Sequence, residues 1–247
     1  MPNIVATIEA RMTSSRLPGK VLLEADGKPM LWHLVNRLKQ VKSIGKIVLA
    51  TTDRSTDDVL MDFAGEVGIL AFRGSEANVM SRVIGAAKFA DADIIVEVTA
   101  DCPLIDPLLI EQTIQVFLNN ECDYVSNSHI RSYPIGMDTQ VYKLSTLQRS
   151  YSMTQEPLDQ EHVTRHIRLH PQLFRLITLA APPDLHWPQL ALTLDEKLDY
   201  ELLKNIIEYF GAKNRCFSCR ETIELLLNVH PEWVGLNRSV KRKGLHG

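Results

Sequence analysis

Between Ala10 and Lys20 the chain reads Ala-Arg-Met-Thr-Ser-Ser-Arg-Leu-Pro-Gly-Lys: three cations, three hydroxyls and one glycine in eleven residues, with no acidic side chain among them. Phosphate recognition needs this combination of positive charge, short hydroxyl donors and backbone N–H groups free to turn toward oxygens. The stretch directly follows the strand-like run Ile4-Val5-Ala6-Thr7-Ile8. A solvated basic loop is the competing reading, and the position past a strand favours phosphate. Two familiar phosphate motifs are absent. Ser14 stands where a GxxxxGK[ST] loop needs its first glycine, Val21 follows Lys20, and the chain has no GxGxxG.

Two aspartates occupy similar positions farther along. Asp101 ends the run Ile94-Ile95-Val96-Glu97-Val98-Thr99-Ala100, and Asp195 ends Leu190-Ala191-Leu192-Thr193-Leu194. Carboxylates at neighbouring strand ends can hold a divalent cation, most naturally Mg²⁺ bridging polyphosphate oxygens. The alternative for Asp195 is a helix cap, and Asp106 before Pro107 reads as a turn former or N-cap. His162, His166 and His170 recur at i, i+4 and i+8 and could share a helix face as a structural metal site. Satisfied structural histidines are the simpler account, with His170 favourable at a helix C-terminus.

These residues need a frame to position them. Strands are predicted at Ile4–Ile8, Ile47–Ala50, Ile69–Phe72, Ile94–Val98 and Tyr124–Ser126, alternating with helix-period stretches. Met30, Leu31, Leu34, Val35, Leu38 and Val41 mark one helix, Val59, Leu60, Phe63, Ala64 and Val67 a second. Further helices are expected at 77–90 and 107–119. Repeated β-α units with near-continuous apolar strands predict an α/β fold with a mostly parallel central sheet, which binds ligands outside the carboxyl ends of its strands. The pattern loosens at 128–190, a small α+β insertion serving as lid or dimerisation element. Its strands are expected near 138–144 and 174–180, its helices near 145–153 and 159–169. A strand at Leu190–Leu194 and a helix to about Phe210 follow. One domain is expected over 1–237, and 238–247, with Arg238, Lys241, Arg242 and Lys243, reads as a basic solvated tail.

Composition narrows the class. Of 247 residues, 45% are hydrophobic and 23% charged, the balance of an ordinary globular chain. A net charge of −3 argues against nucleic acid or a membrane surface as partner. No apolar run approaches the ~18 residues of a membrane span, and the start lacks a basic leader segment, so a cytoplasmic location is expected. Four cysteines, two of them in Cys216-Phe-Ser-Cys219, are too few for a disulfide framework and read as reduced thiols, with zinc or a redox pair the alternative.

Together these residues resemble the cytidylyltransferase family that includes acylneuraminate and 3-deoxy-manno-octulosonate cytidylyltransferases, with the spore coat polysaccharide biosynthesis protein F branch nearest. Ala10 through Lys20 match the family pattern A-R-x-x-S-x-R-L-P-G-K without a gap. Phe72-Arg73-Gly74-Ser75-Glu76, Asp101 through Pro107, Tyr133 through Asp138, Glu161 through Thr164 and Leu192 through Asp195 match in order. The resemblance implies a Rossmann-like nucleotidyltransferase fold, and condensation of CTP with an acidic or otherwise unusual sugar to give CMP-sugar and pyrophosphate for surface polysaccharide. It implies that Arg11, Ser14, Arg16 and Lys20 hold the CTP phosphates, that Arg73 is a second nucleotide-side arginine, and that Asp101 and Asp195 hold Mg²⁺. Arg11, Lys20 and Asp101 would then carry the catalytic charge, Gly136 and Asp138 would line the sugar pocket, and the chain would form a homodimer.

The sequence departs from that pattern at Glu9, Glu97, Ala100 and the run Glu196-Lys197-Leu198. A nucleotide-binding module without activity is therefore an alternative. So is a nucleotide-sugar-dependent glycosyltransferase, although the one Asp-x-Asp spacing here, Asp91-Ala-Asp93, precedes its strand.

Overall fold

A computed structural model of the chain describes residues 2–211 and 214–242. The first half runs β1 (Ile4–Glu9), the short hairpin β2 (Glu24–Ala25) and β3 (Lys28–Pro29), α1 (Met30–Leu38), β4 (Lys46–Thr52) and α2 (Asp58–Val67). Then come β5 (Leu70–Gly74), α3 (Val79–Phe89), β6 (Ile94–Thr99) and α4 (Pro107–Leu118). The second half holds β7 (Tyr124–Ser126), β8 (Gln140–Lys143), α5 (Leu144–Met153), α6 (Pro157–Glu161) and α7 (Arg165–Leu169). It ends with β9 (Leu176–Thr178), α8 (Lys197–Phe210) and α9 (Cys219–Glu224).

Seven strands form one sheet in the order β5-β4-β1-β6-β8-β7-β9. β5, β4, β1 and β6 pair in parallel, and β7 pairs in parallel with β9; β8 runs antiparallel to both its neighbours. The expected α/β architecture with a mostly parallel sheet is therefore present, and the 128–190 insertion is built into that sheet through β8 and β9. Alternate residues of the strands feed two cores. Ala6, Ile8, Leu49 and Val96 pack with Leu31, Leu34, Phe63 and Ile114 on the face of α1, α2 and α4. Val5, Val48 and Ile95 pack with Met80, Val83, Leu147 and Ile167 on the face of α3, α5 and α7. Burial on both faces is why the strand sequences are nearly all apolar.

Two expected elements differ. Leu190–Leu194 is extended chain with a single bridge, Ala191 to Ile135, because its neighbours are loops rather than strands. Its amides go instead to the Ile135 and Asp101 carbonyls, from Leu192 at 2.7 Å and Leu194 at 2.8 Å. The helix expected near 159–169 is broken into α6 and α7 at 162–164, so the three histidines do not share one helix face. Asp106 caps α4 as predicted, accepting the Leu108 N–H at 2.8 Å.

Candidate active site

The loop after β1 is held by its own backbone and by one buried carboxylate. Gly19 adopts φ 70°, a left-handed conformation that a side chain disfavours, and donates its N–H to the Met12 carbonyl at 3.0 Å. Asp57 Oδ1 accepts the Met12 N–H at 2.9 Å, while its Oδ2 takes the hydroxyls of Thr51 and Thr52 at 3.0 and 2.6 Å. Burial opposes ionisation of Asp57, but these bonds outweigh it and hold the carboxyl below its ordinary value. The loop thus closes into a ring, and the 3₁₀ turn Lys20–Leu22 that follows carries Lys20 inward.

Lys20 meets the two aspartates that the sequence singles out. Its Nζ lies 3.3 Å from Asp101 Oδ2 and 3.3 Å from Asp195 Oδ1, and donates to the Leu194 carbonyl at 2.5 Å. The two carboxylate oxygens are therefore no farther apart than twice that ion-pair distance. Backbone bonding brings them together: the Asp101 carbonyl accepts both the Leu194 N–H and, at 3.3 Å, the Thr193 hydroxyl. Asp195 does not cap α8. Glu196 is the cap residue, and the Asp199 carboxylate accepts the Asp195 and Glu196 amides at 3.1 and 2.9 Å. Asp195 is free to face the cleft.

That cleft has a volume of about 770 Å³, and Arg11, Ser14, Arg16, Lys20, Asp101 and Asp195 all line it. Arg16 pairs with Asp195 at 2.6 Å, and Arg11 pairs with Glu76 at 3.3 Å. Each cation of the loop is thus held by a carboxylate, an arrangement that an incoming polyphosphate can displace by offering stronger anions to the same donors. Asp101 and Asp195 present hard oxygens converging on one cation, the Lys20 ammonium, and so fit a divalent ion of the Mg²⁺ type. Among the described residues, no group of three or more His, Cys, Asp or Glu is placed to hold a metal. The pair would share the ion with substrate oxygens.

Three predicted site residues lie off the cleft wall. Arg73 pairs with Asp58 and donates to the Arg54 carbonyl at 3.4 Å, because β5 directs it toward the start of α2. Gly136, at φ 99°, packs against the backbone of Leu192. Asp138 pairs with Arg131. Burial raises the Asp138 carboxyl above its ordinary value against the pull of that arginine, and Asp101 raises it further.

Other residues fill the wall. Glu9, Glu97, Arg82, Gln140, His162 and Arg168 line the same cleft. The parallel register puts Thr7 beside Glu97 and Glu9 beside Thr99, so both glutamates lie on the α3 face of the sheet. Glu97 accepts the Tyr142 hydroxyl and, at 3.3 Å, the Gln140 amide. Burial pushes its carboxyl up to about 7 against the pull of Tyr142 and Arg168. Burial, then Glu97, raises Glu9 well above its ordinary value, with Arg82 opposing. The two acidic departures from the family pattern therefore carry less negative charge than their residue types suggest. Asp57, Glu76, Arg82 and Gln140 were not foreseen from sequence. Only Glu76 stood in a quoted motif; the others are joined to the site by chain crossings that residue spacing does not encode.

Of the three spaced histidines, His162 lines the cleft while His166 and His170 pack on each other. His166 is buried, its imidazole pushed down by burial and by His170, and His170 Nδ1 lies 2.7 Å from the His166 carbonyl. All four cysteines are free thiols, and burial pushes Cys219 up to about 12.

Residues 5–223 match the cytidylyltransferase family profile. The chain is similar to the spore coat polysaccharide biosynthesis protein SpsF of Bacillus subtilis, with 36% identity over 94% of this chain and 97% of that one. A solved cytidylyltransferase from Leptospira borgpetersenii superimposes with TM-score 0.91 at 31% identity, covering 98% of this chain and all of the other. CMP:2-keto-3-deoxy-manno-octonic acid synthetase, at 22% identity and TM-score 0.60 over 84% of this chain and 99% of its own, shares the fold. On the reach of the profile and the near-complete alignment with these relatives, the chain belongs to the cytidylyltransferase family.

Proposed function

We propose that the chain condenses CTP with a sugar, acidic or otherwise unusual, to give CMP-sugar and pyrophosphate, in the service of a surface polysaccharide. The observation that carries this reading is Lys20 Nζ at 3.3 Å from both Asp101 and Asp195 in a cleft that also collects Arg11, Ser14 and Arg16. The family membership and the printed name of the Bacillus relative support the substrate class.

In the proposed reaction a sugar hydroxyl attacks the α-phosphorus in line. A sugar oxygen–phosphorus bond forms, the bond between the α-phosphorus and its bridging oxygen breaks, and pyrophosphate leaves with that electron pair. The hydroxyl proton passes to solvent through the open cleft. Arg11, Arg16 and Lys20 exchange their carboxylate partners for phosphate oxygens and neutralise the charge that accumulates on the leaving group. Asp101 and Asp195, released from Lys20, would hold Mg²⁺, which when bound supplies further neutralisation of the α-phosphate oxygens. Gln140, Glu161, His162 and Thr164 line the remainder of the wall, where a sugar can be oriented. Arg73, Gly136 and Asp138 stand outside this wall.

The reading includes a cytoplasmic homodimer built on the face of α5 to α7, where Met153, Leu158, Leu169 and Leu173 are exposed; light scattering at the mass of one chain would overturn the dimer. Among the described residues no helix is long and apolar enough to cross a membrane. A panel of four nucleoside triphosphates against acidic and amino sugars, scored for pyrophosphate with and without Mg²⁺, tests the reaction. Release with CTP and one sugar, lost in Asp101→Ala, is expected. CTP binding without turnover of any sugar would point to an inactive nucleotide-binding module.

A further inference from the structure

The family profile ends at residue 223, yet the last described residue, Arg242, reaches Asp195 from behind the candidate site. Its Nη1 lies 3.6 Å from Asp195 Oδ2, and its Nη2 donates to Asp199 Oδ1 at 2.6 Å. Nη1 is buried without a hydrogen-bond partner, so it meets Asp195 through charge alone. The sequence expectation of a solvated tail fails at this residue, whose side chain is only 19% exposed; residues 243–247, with Lys243, lie outside the described chain.

The surrounding contacts form a clamp. Asp199 is fully buried and takes donors from four residues: the amides of Asp195 and Glu196, the Asn237 side chain at 2.7 Å, and Arg242. Asn237 also donates to the Ala191 carbonyl at 3.0 Å, and the Lys241 carbonyl accepts Arg16 Nη1 at 3.3 Å. The segment from Asn237 to Arg242 is thus stitched to the chain on both sides of Asp195 and to one cation of the phosphate loop. The Asp195 carboxylate is gripped from two directions, with Oδ1 toward Arg16 and Lys20 and Oδ2 toward Arg242. Such a grip fixes rotation of the carboxylate, and groups behind a metal ligand commonly govern its affinity by 10–100-fold.

We propose that Arg242 is a positioning residue of the active site, acting through Asp195 and Asp199 to present Asp195 Oδ1 to the cleft. This rests on the reading of Asp195 as a magnesium ligand given under Proposed function. The C-terminal segment is then a working part of the site rather than an appendage.

The test compares the full chain with Arg242→Ala, Arg242→Lys and, as a control in the same segment, Arg238→Ala, whose side chain is exposed. CTP binding is followed by calorimetry at rising Mg²⁺, alongside pyrophosphate release. Arg242→Ala should need about tenfold more Mg²⁺ for half-maximal CTP binding, with kcat down about tenfold and KM for sugar unchanged. Arg242→Lys, which keeps a cation against Asp199, should recover part of both, and Arg238→Ala should match the parent. Wild-type magnesium dependence in Arg242→Ala, or an equal shift in Arg238→Ala, overturns the clamp and leaves the reading of the site intact. A parent chain that binds CTP independently of Mg²⁺ overturns that reading, and the clamp's role with it.

Discussion

Gly136 lies so close to Leu192 that a β-carbon placed on it would stand 2.5 Å from the Leu192 carbonyl oxygen. The same short stretch of chain leads through Leu194 to Asp195, and the two segments are tied by the Ile135 N–H to the Leu190 carbonyl at 2.9 Å and the Leu192 N–H to the Ile135 carbonyl at 2.7 Å. Gly136 therefore sets the height at which Asp195 enters the cleft without facing the cleft itself.

Gly136→Ala should accordingly cost both stability and activity. Its φ of 99° disfavours any side chain, and the contact is with backbone that has no rotamer in which to retreat. A loss of about 3 kcal/mol is expected, read as a fall in Tm of roughly 6–12 °C. A Tm within 1–2 °C of the parent, near the resolution of a melt, would mean that Leu192 moves freely.

Lys20→Ala should change two affinities in opposite directions. In the free protein Lys20 neutralises Asp101 and, with Arg16 and Arg242, Asp195, so its removal takes the one shared cation from between the two carboxylates and raises their affinity for Mn²⁺ measured without nucleotide. CTP affinity should fall at least tenfold, since a charge-assisted phosphate contact is lost. Calorimetric titrations with each ligand separate the two effects, and parallel changes in both would contradict the exchange of partners.

The pH dependence of stability should carry the mark of Glu97. Burial raises its folded pKa to about 7 from 4.5, so the folded chain binds this proton more tightly than the unfolded one. That contribution is full below the ordinary glutamate range and is lost as pH rises through about 7. Glu97→Gln, which can still accept from Tyr142, should match the parent at about pH 4 and exceed it in Tm at pH 8. Equal pH slopes for the two chains would show that Glu97 ionises normally.

Asp57 works in the opposite sense. Its folded pKa is depressed below 3.8 by the bonds from Thr52, Met12 and Thr51 that overcome its burial. Its contribution is present above the ordinary aspartate range and lost as pH falls through the lowered value. Asp57→Asn should lose about 2 kcal/mol at pH 7, the scale of a hydrogen-bonded charge removed. Denaturant midpoints should converge with those of the parent below pH 4. A constant gap into acid would exclude Asp57 ionisation as the source.

Much of this arrangement was legible in the residues. The cationic stretch from Ala10 to Lys20 stands out because charge, hydroxyls and a turn glycine occur together, Asp101 and Asp195 because each ends an apolar run, and the fold brings all three to one cleft. The strand pattern places β1, β4 and β6 because their burial on both faces leaves continuous apolar runs, and β5, a half-buried edge strand, by its short apolar run. Where Arg73 points was not legible, since a residue at a strand end can turn to either side, and in the folded chain it pairs with Asp58. Glu97 read as a misplaced charge because Tyr142 and Gln140, which hold it, come from a strand whose antiparallel insertion no local pattern signals. Arg242 was read as solvated for the same reason: its partners Asp195 and Asp199 lie more than forty residues away, and only the folded chain brings them to it.

The central claim is that Asp101 and Asp195 trade Lys20 for a metal when the triphosphate binds. A crystal structure of the complex with CTP and Mn²⁺, with the metal placed by anomalous scattering, tests it most directly. The account predicts manganese between Asp101 and Asp195 with Lys20 Nζ on a phosphate oxygen. Manganese bound elsewhere, or Lys20 still paired with both aspartates beside bound CTP, would contradict it.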